Sequence, residues 1–355
     1  MVETILVTGG AGFVGSCLAI GLRKELENVR VVALDNLKRR GSELNLPRLR
    51  EAGVEFVHGD IRNPEDLNVA GKVGLIVECS AEPSVLAGYG GSPQYIVNTN
   101  LCGTLNCLEL ARAHGAGILF LSTSRVYPYG ALNALAYREE EDRFVLDASQ
   151  VVAGASGAGV AETFALDGAR SLYGATKLCS ELMVLEYLDM YGLQGVINRC
   201  GVISGPWQMG KVDQGVVVLW AARHAYGGRL DYIGFGGGGK QVRDVLHVDD
   251  LLRLVLYEAA HMDELTGQTF NVGGGAEVNT SLCELTALCQ EVTGNTLDVG
   301  SVAEDRPADV RIYLTDHTKV TQITGWRPEK DLRSIIEDID AWIRGHRAAL
   351  ETVLG

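Results

Sequence analysis

The chain has 355 residues, of which 46% are hydrophobic and 21% charged, and its formal net charge is −14. That length suits one large domain, or a large one with a smaller companion, and the composition is that of an ordinary globular protein. So acidic a surface repels nucleic acid and anionic membrane, so neither is expected as a partner; an anionic ligand needs a local group of arginines.

The N-terminal apolar run is short and glycines follow at once, unlike a signal peptide. No window reaches the length of a membrane span. The eight cysteines (Cys17, Cys79, Cys102, Cys107, Cys179, Cys200, Cys283 and Cys289) form no Cys-x-x-Cys pair, so no metal site is expected. Several lie in apolar stretches, where Cys serves as a small hydrophobe, and the chain reads as reduced and cytoplasmic.

In chain order, Thr4–Thr8 is a buried strand and Phe13–Leu26 has helical spacing. Residues 30–34 form the next strand, ending at Asp35. Further strands are predicted at 54–57, 75–79, 118–121 and 196–197, with helices at 95–113 and 173–190. Such alternation implies a parallel sheet with helices on both faces, and apolar runs such as Ile5-Leu6-Val7 suit strands buried on both sides. Residues 128–171 read as one long loop, of the kind that often forms a functional lid. After Arg199 glycine is dense, strands shorten and helices are expected to be fewer. The predicted architecture is α/β: a Rossmann-like, doubly wound parallel sheet over 1–198, then a smaller substrate-binding lobe over 199–355 from which the chain crosses back.

Thr8-Gly9-Gly10-Ala11-Gly12-Phe13-Val14-Gly15 joins the first strand to the first helix. Gly9 permits the tight turn, Gly12 lets backbone approach a pyrophosphate, and Gly15 lets helix pack on strand. The phosphates then lie against the helix N-terminus near Phe13 and Val14, where free N–H groups and the macrodipole favour negative charge. Asp35 lies 20 residues beyond Gly15, at the end of the second strand, where a carboxylate binds both ribose hydroxyls. It repels a 2′-phosphate, so NAD is favoured over NADP, although Lys38, Arg39 and Arg40 follow in a basic turn. Asn36 and Arg39 are further candidate cofactor contacts, and Asp60-Ile61 after the third strand is placed near the adenine.

Tyr173 and Lys177 stand at i and i+4 on one helical face. An ammonium near a phenol favours the phenolate and makes it a usable general base. Ser122-Thr123-Ser124 follows a strand at its carboxyl end, where parallel sheets bind ligands, and offers a hydroxyl to the reacting oxygen. A Ser/Thr turn after a strand is the alternative reading of that triplet.

Together these residues resemble the extended short-chain dehydrogenase/reductase family, over nearly the whole chain. Residues 8–15 match its Thr-Gly-x-x-Gly-x-x-Gly, Asn100-Leu101-Cys102-Gly103-Thr104 its Asn-x-x-Gly-Thr, and Tyr173-Gly174-Ala175-Thr176-Lys177 its Tyr-x-x-x-Lys. The resemblance puts the catalytic hydroxyl on Thr123, beside the base Tyr173 and Lys177. It puts cofactor contacts on Ser122, Asn100 and Cys200, and on Ser80, Ala81 and Glu82 after the fourth strand. There the chain reads Glu78-Cys79-Ser80-Ala81-Glu82, where relatives usually begin with His. Dehydratases of the family carry an Asp-Glu pair after the catalytic hydroxyl; this chain has Ser124 and Arg125, so elimination lacks its proton carriers. The Asn of galactose-type 4-epimerases is replaced by Cys200-Gly201-Val202. Asp35-Asn36-Leu37, residues 57–63, Asp213-Gln214-Gly215 and residues 239–251 resemble the branch that inverts C2 of CDP-linked deoxyhexoses. That likeness implies a nucleotide-sugar substrate, a CDP-sugar favoured, bound by Gln214 and by phosphate arginines at Arg243 and Arg306; a salt bridge to a neighbouring Asp is the alternative reading of Arg243. A 4-epimerase or an NAD(P)-dependent nucleotide-sugar reductase is the alternative. The resemblance also implies a homodimer or homotetramer, joined through a four-helix bundle of 105–113 and 173–190.

Overall fold

The computed structural model describes residues 3–68, 71–210 and 214–354. Its central sheet has seven strands: β1 (Thr4–Thr8), β2 (Arg30–Asp35), β3 (Glu55–His58), β4 (Leu75–Glu78), β5 (Gly117–Thr123), β6 (Gly195–Cys200) and β7 (Thr269–Val272). Their order is β7-β6-β5-β4-β1-β2-β3, and the pairings from β3 to β5 are all parallel. Every residue of β1, β5 and β6 is buried. That is why β1 and β5 read as apolar runs, Ile5-Leu6-Val7 and Ile118-Leu119-Phe120-Leu121, rather than as an alternation of apolar and polar residues.

The chain leaves β1 for β2 and β3 on one side, then returns to place β4 on the other. In an open parallel sheet the crevice beyond the carboxyl ends of the strands at such a reversal is the ligand position. One face carries a core that includes Leu6, Val32, Ile76, Ile118, Phe120 and Ile197, packed with Leu108 and Ala111 of one helix and Val184 and Leu188 of another.

The predicted helix over 95–113 is present as Gln94–Val97, a wider π-helical stretch Asn98–Cys102 and a regular helix Gly103–His114. It stops at Gly115, whose φ of 65° places it in the left-handed conformation that ends helices. The Tyr-Lys helix runs Leu172–Tyr191, one residue longer at each end than predicted.

The chain divides into two compact units. The first comprises 1–126, 172–199 and 251–270; the second comprises 127–171, 200–250 and 271–355. Two expectations are corrected in the second unit. Residues 128–171 are not one long loop: they hold a short helix, Tyr129–Asn133, and two small hairpins, Tyr137–Glu139 with Phe144–Leu146 and Ala155–Ser156 with Gly159–Val160. Phe164 anchors the segment from within, 2% exposed and edge-on to Tyr127 at 5.7 Å. Single buried aromatics of this kind leave no periodicity to read.

Helices are also not scarce after Arg199. Val216–Tyr226, Leu282–Thr293 and Leu332–Gly345 pack on one another. The last buries Ile335, Ile336, Ile339, Trp342 and Ile343 along one stripe and starts at Asp331, whose carboxylate accepts from the Ser334 N–H at 2.8 Å. The dense glycines of this half form turns between these helices and short strands rather than replacing helix. Val242–His247 centres a small sheet with Val202–Ser204, Asn279–Ser281 and Ile312–Tyr313.

Candidate active site

In the first unit the glycine loop closes as its spacing requires. The Gly12 N–H donates to Gly9 O at 2.9 Å, and Gly9 has a φ of 63°. A Cβ on Gly15 would lie 2.1 Å from Gly9 O, so only glycine lets the helix Phe13–Glu25 start this close to the turn. A Cβ on Gly9 would press on Cys79 and Ser80 at 3.0 Å, which sets the loop against the end of β4. Gly12 caps the helix without a side-chain bond, and no acid occupies the first turn. Gly12, Phe13 and Val14 are only partly buried. The first turn of the helix therefore offers N–H groups to an anion.

Asp35 faces this loop. Its carboxylate accepts from Ala11 N–H at 3.1 Å and from Leu37 N–H at 2.8 Å. Burial raises its pKa, and the N–H groups of Leu37, Ala11 and Gly12 offset part of the rise. Asn36 donates to Asp60 at 2.8 Å, and Arg62 grips the same carboxylate at 2.6 Å. Burial opposes ionisation of Asp60, but the bonds from Arg62 and Asn36 win and hold it at about 2. Asp60 is thus a fixed acceptor beside buried Ile61. Arg39 lies partly buried in the turn after β2, and neighbouring Lys38 lies 3.5 Å over the ring of Tyr95. The loop has what a dinucleotide's pyrophosphate needs: a cradle that a Cβ would fill, a helix start without a side-chain cap, and a carboxylate, Asp35, facing it.

Ser80, Ala81 and Glu82 follow β4, each partly buried. Asn100, fully buried in the π-helical stretch, fixes this segment: its side chain accepts from Glu82 N–H at 2.7 Å and donates to Glu82 O and Thr176 Oγ1 at 3.1 Å each. Asn100 makes these contacts from within the π turn. Asn100 ties the end of β4 to the Tyr-Lys helix.

Ser122 and Thr123 end β5, and Ser124–Val126 forms a 3₁₀ turn with no carboxylate. Thr123 Oγ1 accepts from the Arg125 N–H at 3.2 Å, leaving its own proton to donate. Ser122 donates to Glu181, which Arg199 holds through two guanidinium nitrogens at 2.7 and 3.1 Å. Tyr173, Lys177 and Glu181 follow at i, i+4 and i+8, so the Tyr-Lys helix presents all three on one face. That spacing marks Glu181 in the sequence, where the Tyr-Lys motif alone drew attention. Cys200, 3% exposed, ends β6.

Lys177 has a partner that sequence reasoning passed over. Its Nζ lies 3.4 Å from Glu78 Oε2, and the two side chains are 2% and 0% exposed. The sequence signal was there: Glu78 closes the apolar run Leu75-Ile76-Val77, where a carboxylate has no reason to be buried without a cation.

In the second unit, Arg243 of Val242–His247 donates to Asp309 Oδ1 at 2.9 Å, which links the two motifs predicted to carry phosphate arginines. Arg306 lies three residues before Asp309 and is partly buried. Gln214 is partly buried ahead of the helix Val216–Tyr226, and Asp213 lies outside the described residues. His247 is 2% exposed and accepts from the Asp249 N–H at 3.1 Å.

Fold and site together define an NAD-binding α/β enzyme with a Tyr-Lys couple. The sequence pattern of the NAD dependent epimerase/dehydratase family matches residues 5–273, and the chain belongs to that family. NAD is its cofactor. The chain is 30% identical to CDP-paratose 2-epimerase of Salmonella typhi, over 95% of its own length and 98% of that protein's. It is also 30% identical to dTDP-glucose 4,6-dehydratase of Streptomyces griseus, over 100% and 98%. Among solved structures it is similar to the UDP-glucose 4-epimerase of Thermus thermophilus complexed with NAD, with TM-score 0.76, 26% identity and coverage of 96% and 99%.

Proposed function

We propose that the protein is a nucleotide-sugar epimerase that inverts C2 of a CDP-deoxyhexose, converting CDP-paratose to CDP-tyvelose by transient oxidation and reduction. One observation carries the choice of epimerase: the turn after Thr123 holds Ser124 and Arg125 where a dehydratase needs an acid and a base. The likeness to CDP-paratose 2-epimerase supports C2 and the cytidine nucleotide.

When bound, NAD would supply the reversible hydride-acceptor chemistry the reaction needs. Tyr173, as phenolate, takes the proton of the sugar hydroxyl as the C–H bond breaks, and gives it back after the ketone has turned over. Thr123 donates a hydrogen bond to the same oxygen, steadying the charge that develops on it. Lys177 keeps the phenol acidic and holds the ribose of the cofactor. The open helix end at Gly12–Gly15, with Asp35, Asn36, Arg39, Asp60 and Ile61, binds the dinucleotide; Ser80, Ala81, Glu82, Asn100, Ser122 and Cys200 border it. Residues 1–198 serve mainly the cofactor and 199–355 mainly the substrate, whose phosphates Arg243 and Arg306 neutralise alongside Gln214. The protein works in the cytoplasm as a homodimer or homotetramer.

CDP-paratose incubated with the protein in heavy water tests this reading. The expected product is CDP-tyvelose without solvent deuterium at C2, because the same hydrogen leaves and returns. Deuterium at C2 overturns the direct return. Inversion of UDP-glucose with CDP-paratose untouched overturns the substrate and the carbon.

A further inference from the structure

We propose that Glu78 is a positioning residue that holds Lys177 and, by compensating its charge, sets how basic Tyr173 is. The inference deepens the epimerase reading, since it rests on Tyr173 as the base.

Glu78 closes β4, with Thr8 of β1 beside it on one side and Phe120 of β5 on the other. Neither neighbour ionises. Lys177 reaches in from the Tyr-Lys helix, its Nζ 3.4 Å from Glu78 Oε2 and 3.9 Å above the Phe120 ring. A further titratable group facing the pair is Cys107, fully buried on the helix Gly103–His114. Burial raises its thiol pKa, Glu78 adds to the rise and Lys177 offsets part of it, so Cys107 stays neutral and does not compete for the ammonium. Burial likewise raises the pKa of Glu78, and Lys177 is the largest influence against that rise. In so closed a place the field of each charge reaches further than at the surface.

Two consequences follow, one for Lys177 itself and one for Tyr173 a helical turn before it. The ammonium of Lys177, with five single bonds between it and the backbone, is fixed by a carboxylate on a rigid strand rather than left to sample rotamers. Its positive field on the Tyr173 phenol is also partly cancelled by Glu78. A lysine without this partner lowers a neighbouring phenol further. Glu78 therefore keeps Tyr173 a stronger base than the Tyr-Lys spacing alone would make it.

The test uses the NAD-loaded protein labelled with ¹³Cζ-tyrosine, the Tyr173 resonance being the one that Tyr173→Phe removes. In Glu78→Gln the phenol should titrate lower by about one pH unit, and the acid limb of kcat/KM should move the same way. Glu78→Asp, which keeps the charge, should restore most of both. Where Glu78→Gln fails to fold, Glu78→Met removes the charge with a similar volume. An unshifted Tyr173 titration in the uncharged variant overturns the role of Glu78 alone. Turnover that survives Tyr173→Phe overturns the assignment of the base instead.

Discussion

At the scale of single residues, two carboxylates of the first unit show how burial and hydrogen-bond partners set ionisation in opposite directions. Asp60 is held at about 2 by Arg62 and Asn36 and stays an acceptor at any working pH. Glu258 is its opposite: it is fully buried, takes one bond of 2.8 Å from Asn198, and burial pushes it up to about 8. A carboxyl whose pKa is raised by folding stabilises the fold below its unfolded value of 4.5 and loses that contribution as pH rises to about 8. Glu258→Gln keeps an acceptor for Asn198 and removes the ionisation. It should leave Tm unchanged at acid pH and raise it by roughly 5 °C at pH above about 8, read by calorimetry. The sequence marks Glu258 only as one acid on an amphipathic helix. Its burial depends on Asn198, which is 60 residues distant along the chain.

The element that matters most is the helix Leu172–Tyr191, which has two faces with different work. Tyr173, Lys177 and Glu181 line one of them, continued by buried Val184 and Leu188. The other leaves Leu182 53%, Leu185 38% and Met190 66% exposed. Apolar side chains at that spacing on an outer helical face suit a helix–helix contact with a second copy. Leu182→Glu combined with Leu185→Glu should therefore shift the protein towards monomer in sedimentation velocity, while NAD still binds; an unchanged profile removes this helix from the interface. The Tyr-Lys face was legible from i, i+4 spacing. The π turn at Asn98–Cys102 was not, because nothing in Asn98-Thr99-Asn100 distinguishes a wide turn from a regular one; it is fixed by bonds to Glu82 and Thr176.

At the scale of the whole molecule, each unit is drawn from three stretches of chain, and the proposed cofactor residues and phosphate arginines fall largely in different units. Binding of the two ligands should accordingly be separable. Arg243→Ala should weaken the nucleotide-sugar by about 10- to 100-fold, the usual worth of charge-assisted bonds to phosphate, while NAD affinity by calorimetry stays the same. Equal loss of both would assign Arg243 to the packing of its unit, through Asp309, instead of to the substrate.

The amino-acid sequence by itself determined whatever depends on local spacing: the buried strands, the glycine loop that only glycines can close, Asp35 at the end of β2, the Tyr-Lys face, and the absence of carboxylates after Thr123. Backbone sterics and helical periodicity act within a few residues, so a sequence carries them openly. Only the tertiary structure decided what lies opposite these features. It paired Lys177 with Glu78 across 99 positions, Ser122 and Arg199 with Glu181, and Arg243 with Asp309, and it folded 128–171 into hairpins. Those choices rest on which charges share a buried space, where desolvation forces each to find a partner, and no local pattern records that.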